Sequence, residues 1–215
     1  MIISRGRSYL FVHIPKTGGT SMALALEGRA MKDDVMIGDT PKAVKRRRRL
    51  KDVQTAGRLW KHSTLADIDG LIGADEIADL FTFTLVRNPW DRTVSYYHWL
   101  REQTFDHASV RLAKTQDFEG FVSDPQIQQS LRQWPARRYM TDVNGTEQCR
   151  AYIRLEHLAE DAAPLWAHLG VELDLPQSNA SVRETDYRRY YSPATCKVVA
   201  ECCAEDIARF GYAYD

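Results

Sequence analysis

The stretch Tyr9-Leu-Phe-Val-His-Ile-Pro-Lys-Thr-Gly-Gly-Thr-Ser21 decides how this chain is read. Tyr9 to Ile14 suits a buried strand, Met22 to Met31 has helical character, and Thr17-Gly-Gly-Thr20 makes the turn between them. A strand that runs through a glycine turn into a helix prepares an anion site. The glycines let the backbone approach a ligand, so the amides of residues 18 to 21 and the positive end of the helix dipole can serve a phosphate. Lys16 adds a full charge, and Thr17, Thr20 and Ser21 add hydroxyls. The lysine precedes the glycines, whereas the phosphate loop of NTPases places it after them. Magnesium-dependent NTP chemistry is therefore not the first expectation.

Outward from this stretch, Phe81-Thr-Phe-Thr-Leu-Val86 is a second strand of aromatic and β-branched residues. Asn88-Pro89 then turns the chain into a helix from Trp90 to Glu102, with Trp90, Val94, Tyr97 and Arg101 on one face. Arg87 stands at the strand end and Ser95 two helical turns later. A guanidinium fork suits phosphate oxygens, and a serine can add a donor from another direction. By periodicity alone, a surface arginine and an exposed helical serine fit equally well.

Further along, Leu65 to Ile77 reads as a short helix pair broken by Gly70 and Gly73, and Asp117 caps a helix bearing Phe118, Phe121 and Val122. Asp142-Val-Asn-Gly145 is a turn and Ala151 to Leu155 a strand. Pro164 opens a helix that Gly170 closes, and Ser192-Pro193 starts a last helix that Gly211 ends. Strands alternating with helices predict one α/β domain over residues 1–215, a central parallel sheet flanked by helices in three layers. Such sheets bind ligands at the carboxyl ends of their strands, where both motifs fall.

Composition narrows the partners. The 215 residues carry 29 Lys+Arg against 29 Asp+Glu, and this zero net charge gives no global electrostatic case for nucleic acid or an anionic membrane. Tyr9 to Ile14 is too short for a membrane span or a signal-peptide core, so the cytoplasm is the expected compartment. Cys149, Cys196, Cys202 and Cys203 lack the paired CxxC spacing of zinc sites. Cys196, Val199, Cys203, Ile207 and Phe210 form one helical stripe, which makes Cys196 and Cys203 core fillers. The histidines, at 13, 62, 98, 107, 157 and 168, show no ligand spacing with one another or with a cysteine, and no metal is expected.

Taken together, Ile14-Pro-Lys-Thr-Gly-Gly-Thr-Ser21 and Arg87-Asn-Pro89 through Ser95 resemble the sulfotransferases that use 3′-phosphoadenosine-5′-phosphosulfate (PAPS), in the group of the heparan and dermatan 2-O-sulfotransferases. Weaker similarity continues through Arg154-Leu-Glu-His-Leu158, Asn179-Ala-Ser181 and Asp206 to Tyr212. The resemblance implies a P-loop-NTPase-like sulfotransferase fold. It also implies that Lys16, Thr17, Gly18, Gly19, Thr20 and Ser21 hold the 5′-phosphosulfate, with Lys16 stabilising the leaving oxygen. Arg87 and Ser95 would hold the 3′-phosphate, and PAPS would leave as 3′-phosphoadenosine 5′-phosphate (PAP). A histidine serves as general base in the 2-O-sulfotransferases, and Trp60-Lys-His-Ser63 lies where it is expected, which makes His62 the candidate. His13 competes for that role, and Glu27 is a carboxylate to consider after it.

The expected acceptor is a hydroxyl of a carbohydrate or glycoconjugate. Glycosaminoglycans are not carried over, because the Golgi membrane anchor of the better-known enzymes has no counterpart in this sequence. The run Lys45-Arg-Arg-Arg-Arg49 reads either as a solvated basic face or as a docking surface for an anionic acceptor. Two other functions stay open at this level. A P-loop-like nucleotide kinase would depend on ATP and magnesium, and a non-catalytic module would bind the 3′,5′-bisphosphate without turnover.

Overall fold

A computed structural model of the chain describes residues 1–176 and 183–214. In chain order the elements run β1 (Ile2–Ser4), β2 (Tyr9–Val12), α1 (Gly19–Gly28), β3 (Val35–Met36), α2 (Pro41–Arg46), α3 (Ala74–Asp79) and β4 (Phe81–Val86). Next come α4 (Pro89–Arg101), α5 (Ala108–Thr115), α6 (Phe118–Ser123), α7 (Pro125–Gln133), α8 (Ala136–Tyr139) and β5 (Ala151–Arg154). The last are α9 (Leu158–Asp161), α10 (Ala163–Leu169), α11 (Pro193–Cys202) and α12 (Ala204–Phe210). They gather into two compact units, Met1–Val86 with Ala136–Asn179, and Arg87–Pro135 with Ala180–Asp215.

The first unit is built on a five-stranded sheet of order β3-β1-β2-β4-β5. Strands β2, β4 and β5 are parallel, with Phe11 opposite Phe83 and Leu85 opposite Ile153. Strands β1 and β3 extend this parallel core antiparallel, a feature the sequence reading lacked. At three and two residues they are too short to show a period. On one sheet face Tyr9, Phe11, Phe83, Leu85 and Ile153 pack with Met22 and Leu26 of α1 and Leu165 of α10. The residues between them, Leu10, Val12, Thr82 and Thr84, are buried as well. Burial on both faces explains why β2 and β4 read as continuous runs and not as alternations. Of the buried threonines of β4, Thr84 is satisfied within the sheet, since its Oγ1 donates to the Val12 carbonyl at 2.8 Å. Helix α1 starts at Gly19 and ends at Gly28, three residues earlier at each end than the pattern suggested, because left-handed Gly18 is its N-cap.

The second unit is helical. Pro89 is the first residue of α4, and the Asn88 side chain caps it by accepting the Trp90 amide at 3.1 Å. Trp90, Val94, Tyr97 and Leu100 pack with Val110, Phe118, Phe121, Ile127 and Val199. Arg101, expected on that face, lays its guanidinium 5.4 Å from the centre of the Tyr97 ring. The last helix is two helices, α11 and α12, separated by Cys203 at φ −110. Cys196 and Cys203 do pack against this core, and burial pushes the Cys203 thiol up to about 12. No helix among the described residues is long and apolar enough to cross a membrane.

Phe83, fully buried at the centre of the parallel strands, should carry much of the first unit's stability. Phe83→Ala is expected to cost about 3–5 kcal/mol, read as a lower urea midpoint. A loss under about 1 kcal/mol would mean that the sheet core is not where this packing places it.

Candidate active site

Two backbone positions shape the loop between β2 and α1. Lys16 has φ 65 and Gly18 φ 83, both in the left-handed region. A lysine held there is strained, and such strain persists where the surrounding structure enforces it, often at ligand sites. A Cβ at Gly18 would also lie 2.8 Å from Leu155 Cδ1, and one at Gly19 would overlap the His13 ring. Gly19 is therefore required by close approach, and Gly18 by its left-handed backbone. Thr17 is buried, and its hydroxyl proton is committed to the Ile14 carbonyl at 2.9 Å, which ties the loop to the strand end. The amides of Ser21 and Met22 fold back onto the Gly18 carbonyl at 3.0 and 3.4 Å, so the Ser21 amide is not open as the sequence suggested. The amides of residues 18 to 20 precede the first intrahelical bond, which leaves them for a ligand.

Next to the loop the structure pairs two histidines that stand 49 residues apart. His62 Nδ1 lies 2.7 Å from the backbone oxygen of His13 and must be the donor, so neutral His62 keeps its lone pair on Nε2. The two rings meet edge to face at 4.6 Å, and Trp60 meets the other side of His62 at 5.0 Å. Burial pushes His62 down to about 3; its bond to the His13 carbonyl opposes this, and the Lys61 charge adds a smaller depression. His13 is held well below its ordinary value, by burial first and then by His62. Lys61 stands next to His62 in the chain, yet burial is the larger cause of the lowering. Its ammonium is paired with Asp39 at 2.5 Å. The turn carrying the pair is fixed by buried Ser63, whose Oγ donates toward the carbonyls of Arg58 and Trp60 at 2.8 and 2.9 Å. Glu27 is committed elsewhere, accepting the Lys42 amide at 3.0 Å. Among the described residues, no three His, Cys, Asp or Glu side chains are grouped to hold a metal ion.

The second motif begins at Arg87, the residue after β4. Within the second unit, Arg87 Nε and Nη2 donate to Asp91 Oδ2 at 2.9 and 2.6 Å. Arg183 Nη2 donates to the other oxygen of Asp91 at 2.5 Å. The Arg183 side chain is 11% exposed, and its Nη1 is buried with no hydrogen-bond partner. Ser95 is buried one turn beyond Asp91 on α4, and His98, whose Nε2 is also buried and unpartnered, follows at the next turn. Sequence reasoning missed Asp91 and Arg183. The spacing of four between Arg87 and Asp91 was a usable signal, while nothing in the sequence links Asp91 to a residue 92 positions away. Of the weaker motifs, Arg154 grips Asp161 through two bonds of 2.7 and 2.9 Å at the end of β5, and Asn179-Ala-Ser181 lies outside the described residues.

A parallel sheet that opens with strand, glycine turn and helix is the architecture of P-loop-like proteins that handle phosphate groups. Within that class the chain belongs to the sulfotransferase family, whose sequence profile, described as "Sulfotransferase family", matches residues 1–213. Membership makes it a transferase of sulfuryl groups. The fold is similar to that of mouse sulfotransferase SULT7A1, whose crystal structure is complexed with PAP. That match has a TM-score of 0.54 and 14% identity, and covers 98% of this chain and 90% of that one. No curated protein matches the sequence.

The depressed histidines set a pH dependence of stability. Their folded-state values lie below the unfolded value near 6.5, so folding is unpenalised above pH 6.5 and loses stability as the unfolded chain takes up protons below it. For His62 this window runs from about 6.5 down to about 3. The urea midpoint is expected to fall on acidification from pH 6.5 to 4.5, each such histidine contributing up to about 1.4 kcal/mol per pH unit. His62→Gln should flatten part of that slope. A midpoint that stays level over this range would contradict the burial of the pair.

Proposed function

We propose that the chain, acting as one sulfotransferase domain, transfers the sulfuryl group of PAPS to a hydroxyl of an acceptor, of carbohydrate or glycoconjugate class. The observation that carries this reading is the pair of anion cradles. One is the left-handed loop at Lys16 and Gly18, and the other is the arginine pair on Asp91 with its unsatisfied buried donor. PAPS, when bound, supplies the sulfuryl group and departs as PAP. PAPS carries two separate anionic groups, and each cradle by itself has the donors that one such group needs.

The Lys16 charge, the amides of Gly18, Gly19 and Thr20, and the hydroxyls of Thr20 and Ser21 hold the 5′-phosphosulfate. Thr17 secures the loop and offers its amide. Lys16 also stabilises the charge that develops on the leaving oxygen. Arg87 and Ser95 hold the 3′-phosphate, joined by Arg183, whose Nη1 is the donor in search of an acceptor. His62, fixed as the Nδ1–H tautomer, takes the acceptor's proton at Nε2. The chemistry is mainly positioning and electrostatics, by analogy with phosphoryl transfer. A cytoplasmic location belongs to this reading. Within the basic run, Arg46 and Arg49 donate to the carbonyls of Asp34 and Lys32.

Three measurements test the reading. PAP is expected to raise Tm without magnesium, adding about 2.7 kcal/mol at 100 times its Kd, and adenosine 5′-phosphate to do so weakly. Arg87→Ala and Arg183→Ala should each cost roughly 1.5–3 kcal/mol of PAP binding and erase the preference over the monophosphate. Equal shifts from PAP and ATP would show that the 3′-phosphate is not read. His62→Ala should lower kcat by about 10²–10⁴ and leave PAP affinity intact, whereas Lys16→Ala should lower kcat and keep the acidic limb of the pH profile. In wild type, kcat/KM should show no break near pH 6.5, because His62 stays neutral far below it. Near wild-type turnover by His62→Ala would move the base to His13.

A further inference from the structure

Beside the loop, the first unit holds a cavity of ≈ 290 Å³ lined by the polar side chains His13, Thr20, Asp39, Thr40 and Lys61. Leu24 of α1 and Met36 of β3 are among its apolar walls. Its volume sits at the lower end of the range for small-molecule sites, about 300–1,000 Å³, which is room for one ring and not for an oligomer. The position suits an acceptor, because Thr20 belongs to the proposed phosphosulfate loop and His13 carries the carbonyl that orients His62.

We infer that this cavity receives a single uncharged sugar ring, whose hydroxyls are bonded by the Lys61–Asp39 pair and whose C–H face lies on Leu24 and Met36. The inference rests on the sulfuryl-transfer reading for its chemistry and on the cavity alone for the class of ligand. Charge selects the class. Lys61 is the one Lys or Arg lining the cavity among the described residues, and it is already neutralised by Asp39 at 2.5 Å. Met1 lines it too, but burial lowers its amino group to about 5, and that group donates to the carbonyls of Ile37 and Lys61. No arginine lines it, and none of Lys45 to Arg49 does. A uronate or sulfated sugar would bring a charge with no partner, at a desolvation cost. A neutral polyol meets what the pair offers. Lys61 spends one of its three N–H donors on Asp39 Oδ2, and Asp39 Oδ1 remains an acceptor. A mix of polar and apolar walls matches a ring with hydroxyls at its edge and C–H groups on its faces.

Methyl glycosides of a neutral hexose and of the matching hexuronic acid would be titrated against the full chain by ligand-observed NMR, without nucleotide and with saturating PAP. Both would also be offered as acceptors with labelled sulfuryl donor. The neutral glycoside should bind more tightly and be the better acceptor. Asp39→Ala, which trims an exposed side chain, should weaken it about ten- to a hundredfold, as expected for a lost hydrogen bond to a charged group. Leu24→Trp, which fills the cavity, should abolish binding, and the PAP-induced Tm shift should survive in both variants. Preference for the uronate, or neutral-sugar affinity untouched by both variants, overturns the inference. Sugar binding that follows these variants in a chain showing neither a PAP shift nor transfer would uphold the cavity and overturn the sulfuryl-transfer reading.

Discussion

The ring of His13 occupies the space where a side chain at residue 19 would stand, and the rest of the loop is arranged around that contact. His13 follows Val12, the last residue of β2 at the middle of the sheet, and is buried. With Gly19 pressed against it, helix α1 can start only at this point. Gly18 must be left-handed to make the turn, Lys16 is forced into the same region, and Thr17 closes the loop onto Ile14. Lysine pays strain at a position glycine would fill more comfortably. On the proposed reading, the charge at residue 16 would be worth more to the protein than a relaxed backbone.

A different constraint governs the second unit. Two guanidinium groups cannot share a largely buried site without a counter-charge, and Asp91 supplies one by giving an oxygen to each. This arrangement orients both forks before any ligand arrives, which reduces the ordering that binding must supply. It also sets a limit. On the proposed reading, a phosphate at the arginines would have to share them with Asp91, and the unsatisfied Nη1 of Arg183 is the donor that needs no such exchange. Asp91 would then tune selectivity on that reading, because a ligand of low charge gains little against a carboxylate already in place.

Which parts were legible in the sequence follows from the range of the interactions. The β2–loop–α1 unit was legible because glycines, lysine and hydroxyls fall within six residues of a doubly buried strand, so local pattern and tertiary structure agree. Strand β4 and the core face of α4 were legible for the same reason. The antiparallel strands β1 and β3 were not, since Ile2–Ser4 and Val35–Met36 carry no period and gain their order from pairing. Arg183 and the His13–His62 contact lay beyond reach too. Each joins segments distant in the chain, and no local propensity records which distant residue will fill a vacant bond. The break at Cys203 was hidden by its own stripe, which continues across α11 and α12 as though the helix were whole.

His62 carries a tension between availability and strength. Burial keeps it neutral, so its Nε2 lone pair is always present, but a base pushed down to about 3 has little appetite for a proton. On the proposed reading, the donor itself relieves this. A phosphosulfate held at Lys16 to Ser21 places negative charge near a histidine pair whose protonation is opposed by the Lys61 charge, in His13's case also by Lys16, and by burial. Added negative charge favours the imidazolium and raises the value for His62 toward the range in which a histidine is an effective base. The free protein then holds a weak base, and loading of the donor strengthens it. Because that strengthening depends on charge at the loop, the group that must accept the proton becomes competent only when there is a sulfuryl group to transfer.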